Sequence, residues 1–409
     1  MRPELRVITC DPARHSLGVV LLTVGNGTRA VRKTSPCKQV IAISQEGKLV
    51  WRQDFDFCLV NRRRSRRDTV LIMGTGGVAR EIDRAGRVLH TRYAAGLHAS
   101  APDGVRVDTL KFHHSICELA DGTLCSLSLE WRPLDDLEEI ADHVMLDTVV
   151  IWHRDGTVLR KMSLAQVCDI THVSHDWDPI YYSNQGWPRT KDWSQGNCVI
   201  EDPADGGFLM SFCHQDSVTK VSRAGELEWI MGGDASYRPV IREKLLKMDW
   251  QRPFWHPHDI SFNAAGNLLI LDKSKGGAFS PDPKPPIETW ESHALTFRID
   301  VAGRTAPETW RHGGAGKLPF SLCVGSVCEM PNGNRLIACS GLSHTPVGCP
   351  AARPTLGIGA VELVEATPAG AEVVRARIDA ALGDPMAGGW NGFRPEFLAP
   401  DPAPRLGQP

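Results

Sequence analysis

Apolar and polar residues alternate along this chain with a period of two in short segments, and turns that contain glycine separate these segments. One turn, polar-x-x-Gly followed by such an alternation, recurs at Gly47, Gly86, Gly156, Gly225, Gly303 and Gly370. Other hairpin turns are marked by Asp121-Gly122, Asp205-Gly206, Gly266-Asn267 and Asn332-Gly333. A period of two is that of a β-strand, and glycine supplies the positive φ of a tight turn. Because two hairpins per repeat are typical of four-stranded blades, the pattern predicts an all-β fold, a single six-bladed β-propeller.

Helical periodicity is confined to Leu134–Val144 and Arg242–Trp250, which we expect to be short helical insertions between blade segments. A closed ring of repeats absorbs all 409 residues in one unit. We therefore expect one propeller domain over residues 1–398, with the N-terminal strand completing the last blade. Residues 399–409 are rich in proline and lack a pattern, so we expect a disordered tail there.

The charge of the chain argues against two classes of partner. The formal net charge is -2 at pH 7, which gives no reason to expect binding to nucleic acid or to an anionic membrane. The exception is the basic run Asn61–Asp68, which is interpreted as a solvated loop between blades or, alternatively, as a rim that steers anions.

The cysteines and the N-terminus indicate a compartment. The chain has 12 cysteines, and none of them forms a Cys-x-x-Cys pair, so we expect free thiols. The apolar stretch at Leu17–Val24 is short and ends in a glycine-rich turn, which is not the pattern of a secretory signal. No apolar run is long enough to span a membrane. These features predict a reduced, cytoplasmic protein.

Two histidines recur at one position of the repeat. His114 and His258 are each followed by isoleucine two residues later and by glycine eight residues later. The innermost strands of a propeller line its central channel, where ligands bind. Because two repeats place a titratable ring at the same position, we expect His114 and His258 to face each other across one end of the channel.

Common catalytic motifs are missing from the sequence. It contains no Gly-x-x-x-x-Gly-Lys-Ser/Thr phosphate loop, no Gly-x-Ser-x-Gly elbow and no His-Glu-x-x-His. Chemistry driven by a nucleotide and serine hydrolysis are therefore disfavoured.

Six segments between Phe112 and Ser340 carry a resemblance to a known family. They are F-H-H-S-I-C-E-L-A-D-G-T-L, D-W-S-Q-G-N-C-V-I, S-F-C-H-Q-D-S-V-T-K-V, G-E-L-E-W-I-M-G-G, H-P-H-D-I-S-F-N-A-A-G-N-L-L-I-L-D and V-G-S-V-C-E-M-P-N-G-N-R-L-I. In this order they resemble the arylsulfate sulfotransferases, six-bladed propellers that move a sulfuryl group between phenols without a nucleotide sulfate donor. The first hundred residues match only as generic blades.

The resemblance implies roles for three residues. His258 would be the nucleophile that takes the sulfuryl group as a sulfohistidine, a step that divides one difficult transfer into two easier ones. His114 would bind sulfate oxygens or handle the proton of the phenol. Asn197 would contact the substrate. No cofactor is expected for this route.

Two positions depart from the pattern of the family. Gln195 stands where the family has a histidine, and Cys213 stands where it has an arginine beside His214. Loss of a cation that clamps the transferred anion typically costs about 100-fold or more in rate. His175 is a candidate to replace one imidazole from a different loop. We expect Gln195, Cys213, His214 and His175 to lie near the substrate.

These departures leave two alternatives open. His114, His214 and His258, with His175 or His344, would suit a divalent transition metal in a metal-dependent or hydrolytic enzyme. A propeller that binds a ligand without catalysis is the other alternative. In each case the partner is a small molecule, and Trp177, Trp187, Trp193 and Trp255 would suit an aromatic one or would pack between blades. The oligomeric state does not follow from the sequence.

Overall fold

Six β-sheets of mainly antiparallel strands make up the computed structural model of this protein. The structure describes residues 4–16, 19–26, 38–44, 48–57, 59–74, 76–83, 85–133, 141–175, 181–233, 237–249, 254–274, 277–279, 286, 290–314, 317–321, 324–340, 361–379 and 390–398.

The alternating segments form strands along the whole chain. The first nine strands are β1 (Glu4–Cys10), β2 (Val19–Asn26), β3 (Lys38–Ser44), β4 (Leu49–Asp54), β5 (Leu59–Arg64), β6 (Val70–Gly74), β7 (Val78–Ile82), β8 (Val88–Ala94) and β9 (Val105–Val107). The next nine are β10 (His113–Glu118), β11 (Leu124–Pro133), β12 (His143–Trp152), β13 (Val158–Ser163), β14 (Thr190–Asp192), β15 (Gly196–Glu201), β16 (Phe208–Phe212), β17 (Ser217–Val221) and β18 (Leu227–Gly232). The last nine are β19 (His258–Phe262), β20 (Leu268–Asp272), β21 (His293–Phe297), β22 (Glu308–Gly313), β23 (Gly325–Glu329), β24 (Arg335–Ser340), β25 (Val361–Ala366), β26 (Glu372–Asp379) and β27 (Trp390–Leu398).

The sheets are the six blades of a propeller, as the sequence predicts. In chain order their strand orders are β27-β2-β3-β4, β5-β6-β7-β8-β9, β10-β11-β12-β13 with β14 beside β12, β15-β16-β17-β18, β19-β20-β21-β22, and β23-β24-β25-β26-β1. The innermost strands β27, β5, β10, β15, β19 and β23 contact one another in a closed ring. We call the sheets blades one to six in this order.

Both ends of the described chain join blades that the rest of the chain has begun. β1 pairs with β26 as a fifth, outer strand of blade six, so the N-terminal strand joins the last blade, but the prediction that it completes this blade is wrong. The ring is closed elsewhere, because β27 pairs with β2 and is the innermost strand of blade one. The predicted tail at residues 399–409 lies outside the described residues.

The described parts of the two predicted helices, residues 141–144 and 243–249, are not helical. Residues 134–140 lie outside the described residues, and His143 already begins strand β12. The helix α1 (Pro239–Arg242) ends at Arg242, where the sequence predicted a helix to begin. Beyond it, the backbone of Leu246 donates to the carbonyl of Ile230 at 2.8 Å, so this segment pairs with β18. Tertiary pairing overrides helical periodicity here. The described residues also contain three short 3-10 turns: Leu164–Gln166, Ser183–Gln185 and Cys213–Gln215.

The glycine turns connect the third and fourth strands of the blades. Gly86, Gly156, Gly225 and Gly370 have φ values of 81, 93, 84 and 82°. In the turn at Gly303 the positive φ, 53°, belongs to Arg304. Gly47 lies outside the described residues.

Apolar cores fill the spaces between neighbouring blades. Leu127 of blade three and Phe212 of blade four, for example, are fully buried in one shared apolar cluster.

A repeated glutamate joins neighbouring blades at one end of the channel. Glu118, Glu201 and Glu329 end three innermost strands. Each accepts a backbone N–H from the first hairpin of the preceding blade, at 2.7, 2.6 and 2.6 Å from Arg66, Ala120 and Ala264 respectively. This end of the ring is thus fixed structurally, and the opposite end holds the candidate site.

The interpretation of Asn61–Asp68 as a loop between blades is wrong. Its first four residues belong to the innermost strand β5, and only the rest form the β5–β6 hairpin. The side chain of Arg62 is buried and donates to the carbonyl of Leu21 at 2.9 Å, which binds blade two to blade one. A guanidinium is tolerated there because a neighbouring carbonyl satisfies it.

Candidate functional site

The innermost strands of blades three to five begin in a strained backbone. In each, the pairing with the second strand is interrupted by a bulge, at His114 and Ser115, at Asn197 and at Asp259. Six residues other than glycine have positive φ in this region: His114, Gln195, Asp216, His256, Asp259 and Ser274. Such conformations cost about 1–3 kcal/mol each and cluster at functional sites, so this end of the channel is the candidate site.

His258 is the first residue of β19 and is 3% exposed. Its Nδ1 lies 2.8 Å from the carbonyl oxygen of Gly325, on the neighbouring innermost strand β23. A carbonyl only accepts hydrogen bonds, so Nδ1 carries the hydrogen. The lone pair of the neutral ring is therefore on Nε2.

Gly325 is required by packing. A Cβ at this position would overlap the Cδ2 of Leu271 and would lie 2.7 Å from the carbonyl oxygen of Ala338 and 2.8 Å from the Oγ of Ser321. Protein atoms fill the space beside the Cα of Gly325, and they hold the carbonyl that orients His258.

The Asn197 side chain bridges blades four and five. Its Nδ2 donates to the carbonyl of Pro257 at 2.8 Å, and its Oδ1 accepts from the backbone N–H of Asp259 at 2.8 Å and from Ser211 Oγ at 2.6 Å. These bonds hold the backbone on both sides of His258. Asn197 thus acts on the nucleophile candidate through the chain that carries it.

His114 contacts a second histidine and, through it, a carboxylate. His114 Nδ1 and His113 Nδ1 are 3.1 Å apart. The Nε2 of His113 donates to the carbonyl of Ser128 at 3.0 Å and also lies 3.0 Å from Oδ1 of Asp147. The second contact is electrostatic more than directional, because Oδ1 lacks hydrogen-bond alignment. Asp147 is buried, and its Oδ2 accepts from Ser194 Oγ and from the backbone N–H of Gly196 at 2.7 Å.

Two buried carboxyl groups in this region differ in acidity. Burial acts to raise the pKa of Asp147, but the electrostatic attraction of His113 and the hydrogen bonds from Ser194 and Gly196 outweigh it and lower the pKa. Burial, together with the negative charge of Asp147, raises the pKa of Asp192 to about 7. Asp147 is therefore ionised near neutral pH, whereas Asp192 gains or loses its proton there.

The basic run places one guanidinium in the channel. Arg63 is on the innermost strand of blade two, and its Nη2 lies 3.4 Å from Cys198 Sγ of blade four and 3.7 Å from Asp259 Oδ1 of blade five. Because blades two and five are opposite each other in a ring of six, this side chain crosses the channel. Its positive charge is next to the residue that follows His258.

The repeat relation between the two histidines is shifted by a bulge. His258 pairs with Leu271, and Leu127, the equivalent residue of blade three, pairs with His113. His114 matches His258 by its distance from the turn glycine, whereas His113 matches it by strand register. The reason is that β10 holds two residues in its bulge where β19 holds one.

Gln195, Cys213 and His214 meet around one loop. Gln195 precedes β15 with a φ of 44°, and its N–H donates to Oδ1 of Asp192 at 3.1 Å. The N–H of Cys213 donates to the carbonyl of Gln195 at 3.3 Å, and the Nδ1 of His214 donates to the carbonyl of Asp192 at 3.1 Å. The structure thus assembles these three predicted residues beside Asp192.

The remaining predicted side chains lie apart from this loop. His175 is exposed, and its backbone N–H donates to Ala278 at 2.7 Å. Trp193 is 1% exposed in the core between blades three and four, so packing accounts for it. Trp187 packs on Tyr182, and Trp255 is partly buried. His344 and Trp177 lie outside the described residues.

No group of three or more histidine, cysteine, aspartate or glutamate side chains within the described ranges could hold a metal ion. The set of His114, His214 and His258 is therefore not assembled as a metal site there. Five of the cysteines that the structure describes are buried, and free thiols and a cytoplasmic location stay predictions. Among the same residues, no helix has both the length and the apolar character needed to cross a bilayer.

Sequence reasoning did not select Asp147 or Arg63 as site residues. Asp147 is a lone acid inside an otherwise apolar strand, V-M-L-D-T-V-V-I, and a buried acid of this kind signals a partner. Arg63 could have been found from the alternation of β5, had the run been read as a strand. His113 was visible as a channel histidine but lacked a reason to be separated from His114.

The chain shares a distant likeness with several solved structures. It is similar to a protein of unknown function from Bacteroides caccae, at 13% identity over 92% of this chain and 99% of that chain, with a TM-score of 0.47. It is similar to a periplasmic gluconolactonase from Pseudomonas aeruginosa at 13% identity over 93% and 99%, with a TM-score of 0.43. It is similar to virginiamycin B lyase from Staphylococcus aureus at 8% identity over 93% of this chain and 100% of that chain, with a TM-score of 0.39. Similarities this weak support no conclusion about activity.

No curated protein matches the chain in sequence. Comparison with family models gives a stronger result than the solved structures do. The family model described as Arylsulfotransferase (ASST) matches residues 19–376, which is most of the chain.

Proposed function

The chain belongs to the arylsulfotransferase family, and on that premise we propose that it transfers a sulfuryl group from an aryl sulfate to a phenolic acceptor through a sulfohistidine at His258. In the first half-reaction, Nε2 of His258 attacks sulfur, the N–S bond forms and the bond from sulfur to the aryl oxygen breaks. In the second, the phenol oxygen attacks the same sulfur and releases the imidazole.

The orientation of the His258 ring carries this proposal. The carbonyl of Gly325 accepts from Nδ1 at 2.8 Å, which leaves the nucleophilic lone pair on Nε2. The same hydrogen bond stabilises the positive charge that develops on the ring as the N–S bond forms. A single protein contact thus selects the tautomer and supports the intermediate.

The anionic sulfuryl group also needs positive charge. The position that would supply an arginine in the family is Cys213, which is 3% exposed. Arg63 supplies a guanidinium from the opposite side of the channel, next to Asp259. A planar guanidinium fits sulfate oxygens in pairs, and its ion pair with Asp259 keeps it in position.

The phenolic acceptor must lose a proton in the second half-reaction. His114, half-buried at the start of β10, is the candidate base because its neutral ring has the proton on Nδ1 when it donates to His113. No metal or cofactor is part of the proposed route. The substrate class proposed is small and phenolic.

The experiment incubates purified protein with 4-nitrophenyl sulfate and a phenol, with and without a chelator, and measures nitrophenol release. We expect release that depends on the phenol, survives the chelator and is abolished in His258→Ala. Protein is also mixed with the donor alone in a buffer without phosphate and analysed by mass spectrometry. This should find one sulfuryl group on the peptide that contains His258.

His312→Ala is the matched control, because His312 is a buried histidine on the fourth strand of blade five. We expect it to retain phenol-dependent release. Arg63→Gln is the second variant in the same assay and should lose about 100-fold in kcat/KM, the usual cost of one electrostatic contact to the transferred group. Undiminished turnover in His258→Ala would contradict the proposal, as would turnover that disappears with the chelator.

A further inference from the structure

A carboxylate and two adjacent histidines form a linear chain of contacts at the start of β10. The chain runs from Asp147, which is 1% exposed, to Nε2 of His113 at 3.0 Å and from Nδ1 of His113 to Nδ1 of His114 at 3.1 Å. Only His114 is required by the proposed function. The other two residues are buried polar groups that need an explanation of their own.

The chemistry of each contact determines where the hydrogens lie. Nε2 of His113 faces only acceptors, the Ser128 carbonyl and the Asp147 carboxylate, so it carries a hydrogen. In a neutral His113 ring, Nδ1 is then an acceptor and receives the Nδ1–H of His114. This leaves the lone pair of His114 on Nε2, the nitrogen that a base would use.

We propose that Asp147 and His113 are positioning residues that act as a proton relay behind His114. This inference rests on the proposed sulfuryl transfer. As the acceptor oxygen attacks sulfur, the phenol O–H bond breaks and a hydrogen–Nε2 bond forms on His114. The Nδ1 proton of His114 passes to Nδ1 of His113, and the resulting positive charge lies beside the Asp147 carboxylate. The sulfur–nitrogen electron pair returns to His258, so atoms and charge balance.

The surroundings of Asp147 suit this role. Two donors, Ser194 Oγ and the N–H of Gly196, hold Oδ2, while Oδ1 faces His113. Other titratable groups near the pair are Asp192, on the adjacent strand β14, the buried Tyr182, which interacts with the charge of Asp147, and Lys191, whose Nζ donates to the carbonyl of Ser174 at 3.0 Å. Because the carboxylate of Asp147 is buried, its attraction to a protonated imidazole is stronger than it would be in water.

The test compares Asp147→Asn with the unaltered protein in two measurements. The first is the NMR signal of the ring nitrogens of His113 and His114, recorded in protein with isotope-labelled histidine and assigned with His114→Gln. Loss of the carboxylate should shift the Nε2 signal of His113, because a negative charge 3.0 Å away is removed. The second is transfer rate to acceptors of different acidity. Transfer to a weakly acidic phenol should fall about 100-fold or more, and transfer to an acidic nitrophenol much less.

Ser194→Ala is the matched control, because it removes a hydrogen bond of Asp147 but keeps the charge. We expect it to leave the Nε2 signal of His113 nearly unchanged. His113→Gln is a second variant for the case in which Asp147→Asn folds poorly. It keeps a donor to the Ser128 carbonyl and an acceptor for His114 but cannot take a proton, so it should show the same dependence on acceptor acidity.

The two proposals fail separately. An unchanged Nε2 signal of His113 in Asp147→Asn, or an equal loss for all acceptors in both variants, overturns the relay even if sulfuryl transfer is found. A shifted signal in a protein without transfer activity overturns the proposed function and leaves the contact of Asp147 with the histidine pair established.

Discussion

At the scale of single residues, the candidate site depends on which atoms carry protons. His258, His113 and His114 each have one ring nitrogen oriented by a neighbour, a carbonyl in the first two cases and another imidazole in the third. Each contact selects one tautomer of a neutral ring. Residue identity alone therefore understates the site, since the same histidines with other neighbours would present the wrong nitrogen.

The titration of Asp192 gives a prediction for stability. Its pKa is raised from 3.8 to about 7 in the folded protein, first by burial and then by the charge of Asp147. The folded state therefore binds a proton more tightly than the unfolded state. The contribution to stability is fully present below about pH 4 and is lost as the pH rises through 7. We expect Asp192→Asn to stabilise the protein relative to the unaltered chain by about 1–4 kcal/mol at pH 8 and by little at pH 4.

Thermal unfolding of both proteins from pH 4 to pH 8 measures this difference. Asp142→Asn is the control, because the pKa of the exposed Asp142 is lowered by its hydrogen bond with Arg189 and the group stays ionised throughout most of this range. Its difference from the unaltered chain should be nearly constant. A constant difference for Asp192→Asn as well would show that Asp192 is not protonated in the folded state.

At the scale of elements, the site is made by the first residues of neighbouring innermost strands. β19 contributes His258, β23 contributes the carbonyl that orients it, and β15 contributes Asn197, which holds the backbone around it. The bulges at the starts of β15 and β19 turn side chains out of the normal alternation. A change in the backbone of one strand should therefore be felt by a side chain on the next.

Gly325→Ala tests this coupling. The added methyl group would overlap Leu271 and crowd the carbonyl of Ala338, so β23 must shift. We expect a loss of about 1–3 kcal/mol in the free energy of unfolding, measured with urea, together with a loss of nitrophenol release as the carbonyl moves from His258.

Gly76→Ala is the control for the added methyl group, because its Cβ would meet nothing within 4 Å and its φ is not positive. It should have little effect on either measurement. Full activity in a destabilised Gly325→Ala would separate the packing of Gly325 from the orientation of His258.

At the scale of the whole molecule, β27 closes the ring, whereas β1 adds an outer strand to blade six. β27 pairs with β2 and contacts the innermost strands of both neighbouring blades, β5 and β23. β1 pairs only with β26 at the outer edge of blade six. The two strands are of similar length, but only one of them lines the channel.

Deletion of residues 390–409 should therefore cost far more than deletion of residues 1–10. Without β27 the inner edge of β2 is exposed and the ring is open, so we expect the Tm to fall by about 10 °C or more and cooperativity to be lost. Deletion of β1 removes one edge strand and should leave a single cooperative transition. Calorimetry of the two truncated chains makes the comparison, and equal losses would show that β27 does not close the ring.

The sequence by itself determined the repeat, the six-bladed all-β architecture and the positions of its turns. These depend on local rules, since the period of two and the glycine turns act over a few residues. It also placed His258 and His114 at the starts of innermost strands, because a repeat carries equivalent residues to equivalent places.

Only the tertiary structure decided how these parts meet. The Arg63 contact with Asp259 joins residues almost 200 positions apart, and Asp147 reaches His113 from the third strand of the same blade. The predicted helix at Arg242–Trp250 gave way to pairing with β18, and the closing strand came from the other end of the chain. Contacts between distant segments follow from the closure of the ring, which no local pattern of residues encodes.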